Sequence, residues 1–237
     1  MKLKHWLTRN RTKPWPVWNT SYLQTELIGG RSSGVDDPGG VCFRLAFKWL
    51  VCKRTGAEFK YVRHSIQPGV RKTADKTIAK QNVYLRSVAA HERAPAAARG
   101  PTSAPEYTGF HENVDRASVN LLNVWGGKPA ANGKGEKYGV RFASTEYTSL
   151  AGCAALDRDI SAVVGIYGKS EAGPWAHATA FHRKGSEIFY FDSNGGEFTL
   201  DPEDRAGELL HIDLQRYAEP GDPDGYTIEH FHLYTVV

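Results

Sequence analysis

Hydrophobic residues in the first half of the chain recur with helical spacing. In residues 41–54, VCFRLAFKWLVCKR, apolar side chains occur almost all the way round, and only Arg44 and Lys48 interrupt them before a basic end. This pattern predicts a largely buried helix. The basic residues at its end and the following Gly56 suit a helix C-terminus.

More polar segments predict two further helices in this half, over residues 73–93 and 112–125. The segment between them, 94–109, is rich in Ala, Pro and Gly and predicts an exposed loop. Residues 1–20 combine five Lys or Arg residues with three Trp residues, and two prolines break any helix there. We interpret residues 1–28 as an N-terminal arm.

The pattern changes in the second half, where short runs of Val, Ile, Phe and Tyr predict β-strands. Strands are expected at 138–144, 160–167, 175–183, 187–192 and 226–237, and a short helix at 203–218. Residues 183–186, Arg-Lys-Gly-Ser, predict a hairpin turn. Helices first and an antiparallel sheet second predict an α+β fold. In one domain over 29–237, the helical part 29–135 is expected to pack on the sheet part 136–237.

Length and composition are those of an ordinary globular protein. The chain has 237 residues, of which 41% are hydrophobic and 24% charged, enough for one large domain with a substantial core. A membrane helix would need about 18 consecutive apolar residues. No such run occurs, and the N-terminus lacks the apolar core of a signal peptide. Three cysteines without paired spacing favour a reducing site of action.

The net charge of +4 is unevenly spread, with a basic stretch over 60–99 and an acidic one over 201–224. A basic stretch can meet nucleic acid, anionic lipid or an acidic partner. The chain carries no RNP, zinc-finger or helix-turn-helix signature. We therefore interpret the basic stretch as a solvated surface and expect neither a nucleic-acid partner nor stable membrane insertion.

The first candidate for chemistry is Cys42, at the start of the predicted buried helix. The positive end of the helix dipole stabilises a thiolate there. Gly39 and Gly40 precede it and leave room for a substrate backbone. The first amides of a helix have no intrahelical acceptor, so the Cys42 backbone N–H can donate to an oxyanion. Taken alone, Cys42 could equally be a small core residue.

A histidine and an aspartate on neighbouring strands supply possible partners for that cysteine. Alternation in WAHATAFHR places His177 and Thr179 on one strand face and small alanines on the other. Asp192 ends the next predicted strand, and a tight hairpin brings the far ends of its two strands side by side. Asp192 is then expected to accept the Nδ1 proton of His177, which leaves Nε2 to take the thiol proton.

Other candidate sites are weaker. Cys52, near the helix C-terminus, and Cys153, among small apolar residues, are expected to be buried core residues. His230 and His232 share one strand face, but no second pair of metal ligands accompanies them. Since no nucleotide-binding or HExxH pattern occurs either, we expect neither a metal nor a cofactor.

Three stretches resemble the YopT-type family of secreted bacterial effector cysteine proteases, in the papain-like clan. They are GGVCFRLAFKWL at 39–50, HATAF at 177–181 and YFDSNGGEF at 190–198. The family places its cysteine before a long apolar helix, follows its histidine with a small residue, and closes a strand with its aspartate. The resemblance implies a papain-like fold with the cysteine, histidine and aspartate already described as the catalytic residues. Ser193 stands where the family often has proline.

The chain departs from the papain-like pattern at the second oxyanion donor. Papain-like enzymes usually supply a Gln or Asn side chain five or six residues before the cysteine, but Asp36 and Asp37 hold those places here. An ionised carboxylate there would repel the oxyanion. A backbone N–H, a protonated aspartate, or the amide of Asn19 or Gln24 remains as the possible donor. One of the two aspartates is expected to cap the helix.

The resemblance also implies an activity and a place of action. A cysteine protease of this type would cleave a specific protein, expected to be a host protein, in the host cytoplasm after secretion without a signal peptide. A monomer is expected. A glutamine deamidase, a transglutaminase-type enzyme and a peptidoglycan peptidase would use the same residues, and these alternatives to the protease stay open. So does a non-catalytic binding module that uses the basic stretch at 60–99 as its contact surface.

Overall fold

A computed structural model describes most of the predicted elements of the chain. The described residues are 17–21, 41–57, 59, 77–83, 86, 110–127, 138, 140–147, 159–170, 173–200 and 227–237. The predicted loop at 94–109, the predicted helix at 203–218 and nearly all of the basic stretch at 60–99 lie outside them. Two helices have defined bounds, α1 (Cys42–Thr55) and α3 (Phe110–Gly126), and residues 77–83 between them form helix α2. Among these helices none is long and apolar enough to cross a membrane.

Seven strands form one antiparallel sheet in the order β1-β6-β5-β4-β3-β7-β2. Their bounds are β1 Val17–Ser21, β2 Phe142–Tyr147, β3 Ile160–Ser170, β4 Gly173–Lys184, β5 Glu187–Asp192, β6 Gly196–Leu200 and β7 Thr227–Val236. With helix α1 packed on this sheet, the predicted α+β fold is confirmed. The strand predicted at 138–144 begins four residues later, and β1 and β6 were not predicted.

Two predicted features of the chain form as expected, the end of helix α1 and the hairpin turn between β4 and β5. Helix α1 ends at Gly56, whose φ of 66° is left-handed, and the Ala57 N–H donates to the Cys52 carbonyl at 2.9 Å. A left-handed glycine after the last turn is the usual way to end a helix. The hairpin between β4 and β5 turns at Gly185, which also has a positive φ of 58°.

Helix α1 is anchored to the sheet through its C-terminal half. The Trp49 ring stacks on Phe191 of β5 with centroids 5.5 Å apart, and its Nε1 donates to Glu197 Oε2 at 2.6 Å. Lys53 Nζ donates to the other oxygen of Glu197 at 2.7 Å. These contacts hold the C-terminal half of the helix against β5 and β6, and the helix also packs on β4. Its first residue, Cys42, interacts with His177 of β4.

Candidate active site

The helix N-terminus presents Cys42 as its first residue. The first intrahelical bond runs from the Leu45 N–H to the Val41 carbonyl at 3.1 Å. The Cys42 amide therefore belongs to the first turn, where helix geometry provides no acceptor. The side chain is buried, only 5% exposed, as is the Cys52 side chain ten residues on. Burial raises the pKa of the Cys52 thiol, and the positive charge of Lys48 offsets part of that rise.

Strand register brings the predicted histidine and aspartate together. Thr179 of β4 is paired with Asp192 of β5, so Asp192 lies diagonally across from His177 on the same face of the sheet. His177 Nε2 and Asp192 Oδ1 are 2.8 Å apart. Asp192 is fully buried, and the same oxygen accepts the Asn194 N–H at 2.8 Å. The turn after β5 thus orients the carboxylate toward the histidine.

One atomic detail of the prediction is wrong. We expected Asp192 to bond Nδ1 of His177, but it bonds Nε2. The register explains the difference, because diagonal neighbours on a sheet lie about 7–8 Å apart. The carboxylate then reaches the outer ring nitrogen, and Nδ1, nearer the backbone, is the nitrogen left for a second partner.

Cys42 is that second partner of His177, through a side-chain hydrogen bond and a charge interaction. Burial lowers the pKa of His177, but the charges of Asp192 and Cys42 and their hydrogen bonds raise it, with a net rise to about 10. The imidazole is therefore protonated at neutral pH. At this end of the two strands the outermost β4–β5 pair is Thr179 with Asp192. His177 lies two residues beyond that pair and faces the N-terminus of helix α1.

His182, five residues further along β4, has different surroundings. It shares a hydrogen bond with Ser161 Oγ at 2.8 Å. Burial and the nearby cations of Arg54 and Lys53 lower the pKa of His182. This histidine is neutral at neutral pH and belongs to the packing beneath the C-terminal end of α1.

Several further candidates were named from the sequence. Asp36, Asp37, Gln24 and Cys153 lie outside the described residues. Asn19 lies in edge strand β1, which β6 and β5 separate from β4. His232, named earlier as a possible metal ligand, bonds Ser144 Oγ through Nδ1 at 3.3 Å.

Two polar residues beside the cluster were not singled out from the sequence. Gln81 of α2 is 2% exposed, and its Oε1 accepts the Arg44 N–H at 3.0 Å. Ile78, three residues earlier, packs against the core, and this helical spacing was the signal that Gln81 faces inward. Thr179, opposite Asp192, is fully buried, and its hydroxyl has no hydrogen-bond partner in the described part of the chain.

A buried cation accompanies the first turn of α1. Arg44 is only 7% exposed, and its guanidinium lies over the rings of Trp125 and Phe47, 4.7 and 5.1 Å from their centroids. Such contacts stabilise a desolvated cation. They also tie the start of α1 to helix α3.

Comparison with known proteins adds little to this geometry. No protein-family model matches the chain, and no curated protein matches it. Among solved structures, the chain is similar to the crystal structure of the Pseudomonas avirulence protein AvrPphB. The identity is 16%, 87% of this chain and 95% of that chain are covered, and the TM-score is 0.48. A likeness of this size does not assign an activity.

Proposed function

We propose that the protein is a cysteine-type hydrolase that cleaves a peptide bond, with Cys42 as nucleophile, His177 as acid and base, and Asp192 as the orienting carboxylate. The observation that carries this proposal is the position of His177 between two partners. One of its nitrogens is 2.8 Å from a fully buried carboxylate, and its ring bonds the first cysteine of a helix. That arrangement is the cysteine form of a catalytic triad.

The steps follow from the protonation states of the cluster. A His177 pKa of about 10 keeps the imidazole protonated at neutral pH. The attacking group in this proposal is the deprotonated sulfur of Cys42. The thiolate attacks the carbonyl carbon, and the Cys42 backbone N–H donates to the oxyanion. His177 gives its proton to the leaving amine, and a thioester remains on Cys42. His177 then takes a proton from a water molecule as that water attacks and hydrolyses the thioester.

The resemblance to the YopT-type motifs supports the finer proposals. The substrate is then a specific host protein, reached after secretion, and the enzyme acts as a monomer in the host cytoplasm. Neither Asp36 nor Asp37 donates to the oxyanion in this proposal, because a carboxylate there repels it. The aspartate cap expected from the sequence is not part of this proposal, because Val41 is the N-cap residue of α1.

A labelling experiment tests the nucleophile without knowledge of the substrate. We expect iodoacetamide at neutral pH to modify Cys42 stoichiometrically in the folded protein, as peptide mapping detects. Cys52 should stay unmodified, because burial raises the pKa of its thiol. Equal labelling of both cysteines, or labelling of Cys52 alone, would contradict the assignment.

A second experiment tests the reaction. Wild-type protein in an extract of eukaryotic cells should create new N-termini, as enrichment of N-terminal peptides detects. Cys42→Ala should create none, and Cys52→Ser serves as the matched control that retains activity. Glutamine residues that gain about one dalton without new N-termini would instead identify a deamidase.

A further inference from the structure

The nucleophile's helix is capped by a side chain from another helix. Val41, the N-cap residue of α1, makes no side-chain capping bond. Gln81 of α2 supplies the missing acceptor, since its Oε1 receives the Arg44 N–H at 3.0 Å. A capping contact between residues 37 positions apart requires α2 to dock against the end of α1 that carries Cys42.

The Gln81 carboxamide therefore lies at the end of α1 where an oxyanion forms. First-turn amides all point out of the helix N-terminus. The Arg44 N–H lies about 3 Å further along the axis than the Cys42 N–H and, at about 100° per residue, on the other side of the axis. An acyl group on the Cys42 sulfur would place its oxygen at the same helix end. Anions bind there for the same reason.

The hydrogen bond to Arg44 also fixes which way the amide faces. Because a backbone N–H needs an acceptor, the oxygen of the carboxamide points at Arg44 and the NH₂ group points away from it. Gln81 as a residue is only 2% exposed, and the hydrogen bond that the described part of the chain gives it is the one through its oxygen. Its nitrogen is not among the fully buried unpartnered atoms of the described residues, so the NH₂ group keeps some exposure and is open to an acceptor.

We propose that Gln81 is a catalytic residue whose NH₂ group donates the second hydrogen bond to the oxyanion, beside the Cys42 backbone N–H. This inference rests on the proposed function and deepens it. It also accounts for the pair of aspartates at positions 36 and 37, because the amide that the papain-like pattern places before the cysteine comes here from a helix after it.

Two reactions of Cys42 separate this role from simple capping. Acetylation by p-nitrophenyl acetate forms a thioester through a tetrahedral oxyanion and releases p-nitrophenolate. Alkylation by iodoacetamide displaces iodide without an oxyanion. In Gln81→Met we expect acetylation to slow about 10²-fold, the usual effect of one lost oxyanion donor, with the alkylation rate unchanged. Asn82→Ala, in the same helix, should leave both rates at the wild-type value.

Gln81→Glu covers the case in which Gln81→Met does not fold, because its carboxylate still accepts the Arg44 N–H. This variant should also be slower in acetylation and unchanged in alkylation, provided that alkylation is measured on its high-pH plateau, where the thiol is fully ionised. Equal losses in both reactions, or no loss in acetylation, would overturn the proposal. If the wild-type protein is not acetylated at Cys42 at all, the proposed function falls as well, so the two failures are distinguishable.

Discussion

At the scale of single residues, His177 is defined by its two partners. Its Nε2 bond to a buried carboxylate fixes the ring plane, and the remaining nitrogen faces the cysteine. Because the pKa of His177 is raised from the ordinary 6.5 to about 10, its protonated form contributes stability that is complete below about pH 6.5. That contribution is lost as the pH rises through about 10.

Asp192→Asn tests the origin of that raised pKa. The amide keeps the size of the side chain but removes the charge, so the pKa of His177 should fall and its titration move to lower pH. NMR titration of the imidazole ring in both proteins measures this shift. An unchanged titration would mean that Asp192 does not hold the proton on His177.

Thr179→Val tests the unpaired hydroxyl beside Asp192. Valine has nearly the same shape, and no hydrogen bond is recorded for the Thr179 hydroxyl in the described part of the chain. Removing a buried hydroxyl without a partner should raise the free energy of unfolding by about 1 kcal/mol, as urea unfolding measures. A loss of stability, or a shift in the His177 titration, would show that this hydroxyl serves the carboxylate.

At the scale of elements, the position of α1 over the sheet depends on one buried glutamate. Glu197 accepts from both Trp49 Nε1 and Lys53 Nζ. The same glutamate lies in β6, which also pairs with the edge strand β1. A helix held at its C-terminal half keeps its first residue opposite β4, where the catalytic histidine is proposed.

Glu197→Leu removes this anchor and should destabilise the fold. Trp49 loses its acceptor and Lys53 its counter-charge, which costs about 3 kcal/mol in the free energy of unfolding. This value is at the low end of the usual cost of removing one partner of a buried ion pair, because 24% of the Lys53 side-chain surface is exposed to water. Glu187→Gln, at an exposed glutamate of β5, is the control and should change little.

Elements with strong local patterns were predictable from the sequence. The apolar run at 41–54 became α1 over Cys42–Thr55, and the strand predicted at 187–192 has these bounds as β5. Strands β1 and β6 are only five residues long each. Trp and Pro residues precede β1, and a Gly-rich turn precedes β6. They are strands because β6 pairs with both β5 and β1, and no local pattern indicates this pairing.

The same division applies to the candidate site. Cys42, His177 and Asp192 stand in local motifs, and one hairpin joins the last two, so their meeting could be predicted. The ring nitrogen used by Asp192 depends on the diagonal register, which the sequence does not specify. The helical spacing of Ile78 and Gln81 indicates that Gln81 faces inward, but it does not indicate that α2 docks against the start of α1.

At the scale of the whole molecule, the strand order has a consequence for biosynthesis. Strand β7, at Thr227–Val236, inserts between β3 and β2, both of which are made earlier. A nascent chain that already contains the proposed nucleophile and its partners still has a gap in its sheet, and pairing so distant in sequence forms slowly. The proposed catalytic residues are therefore synthesised before the strand that completes the sheet on which they depend.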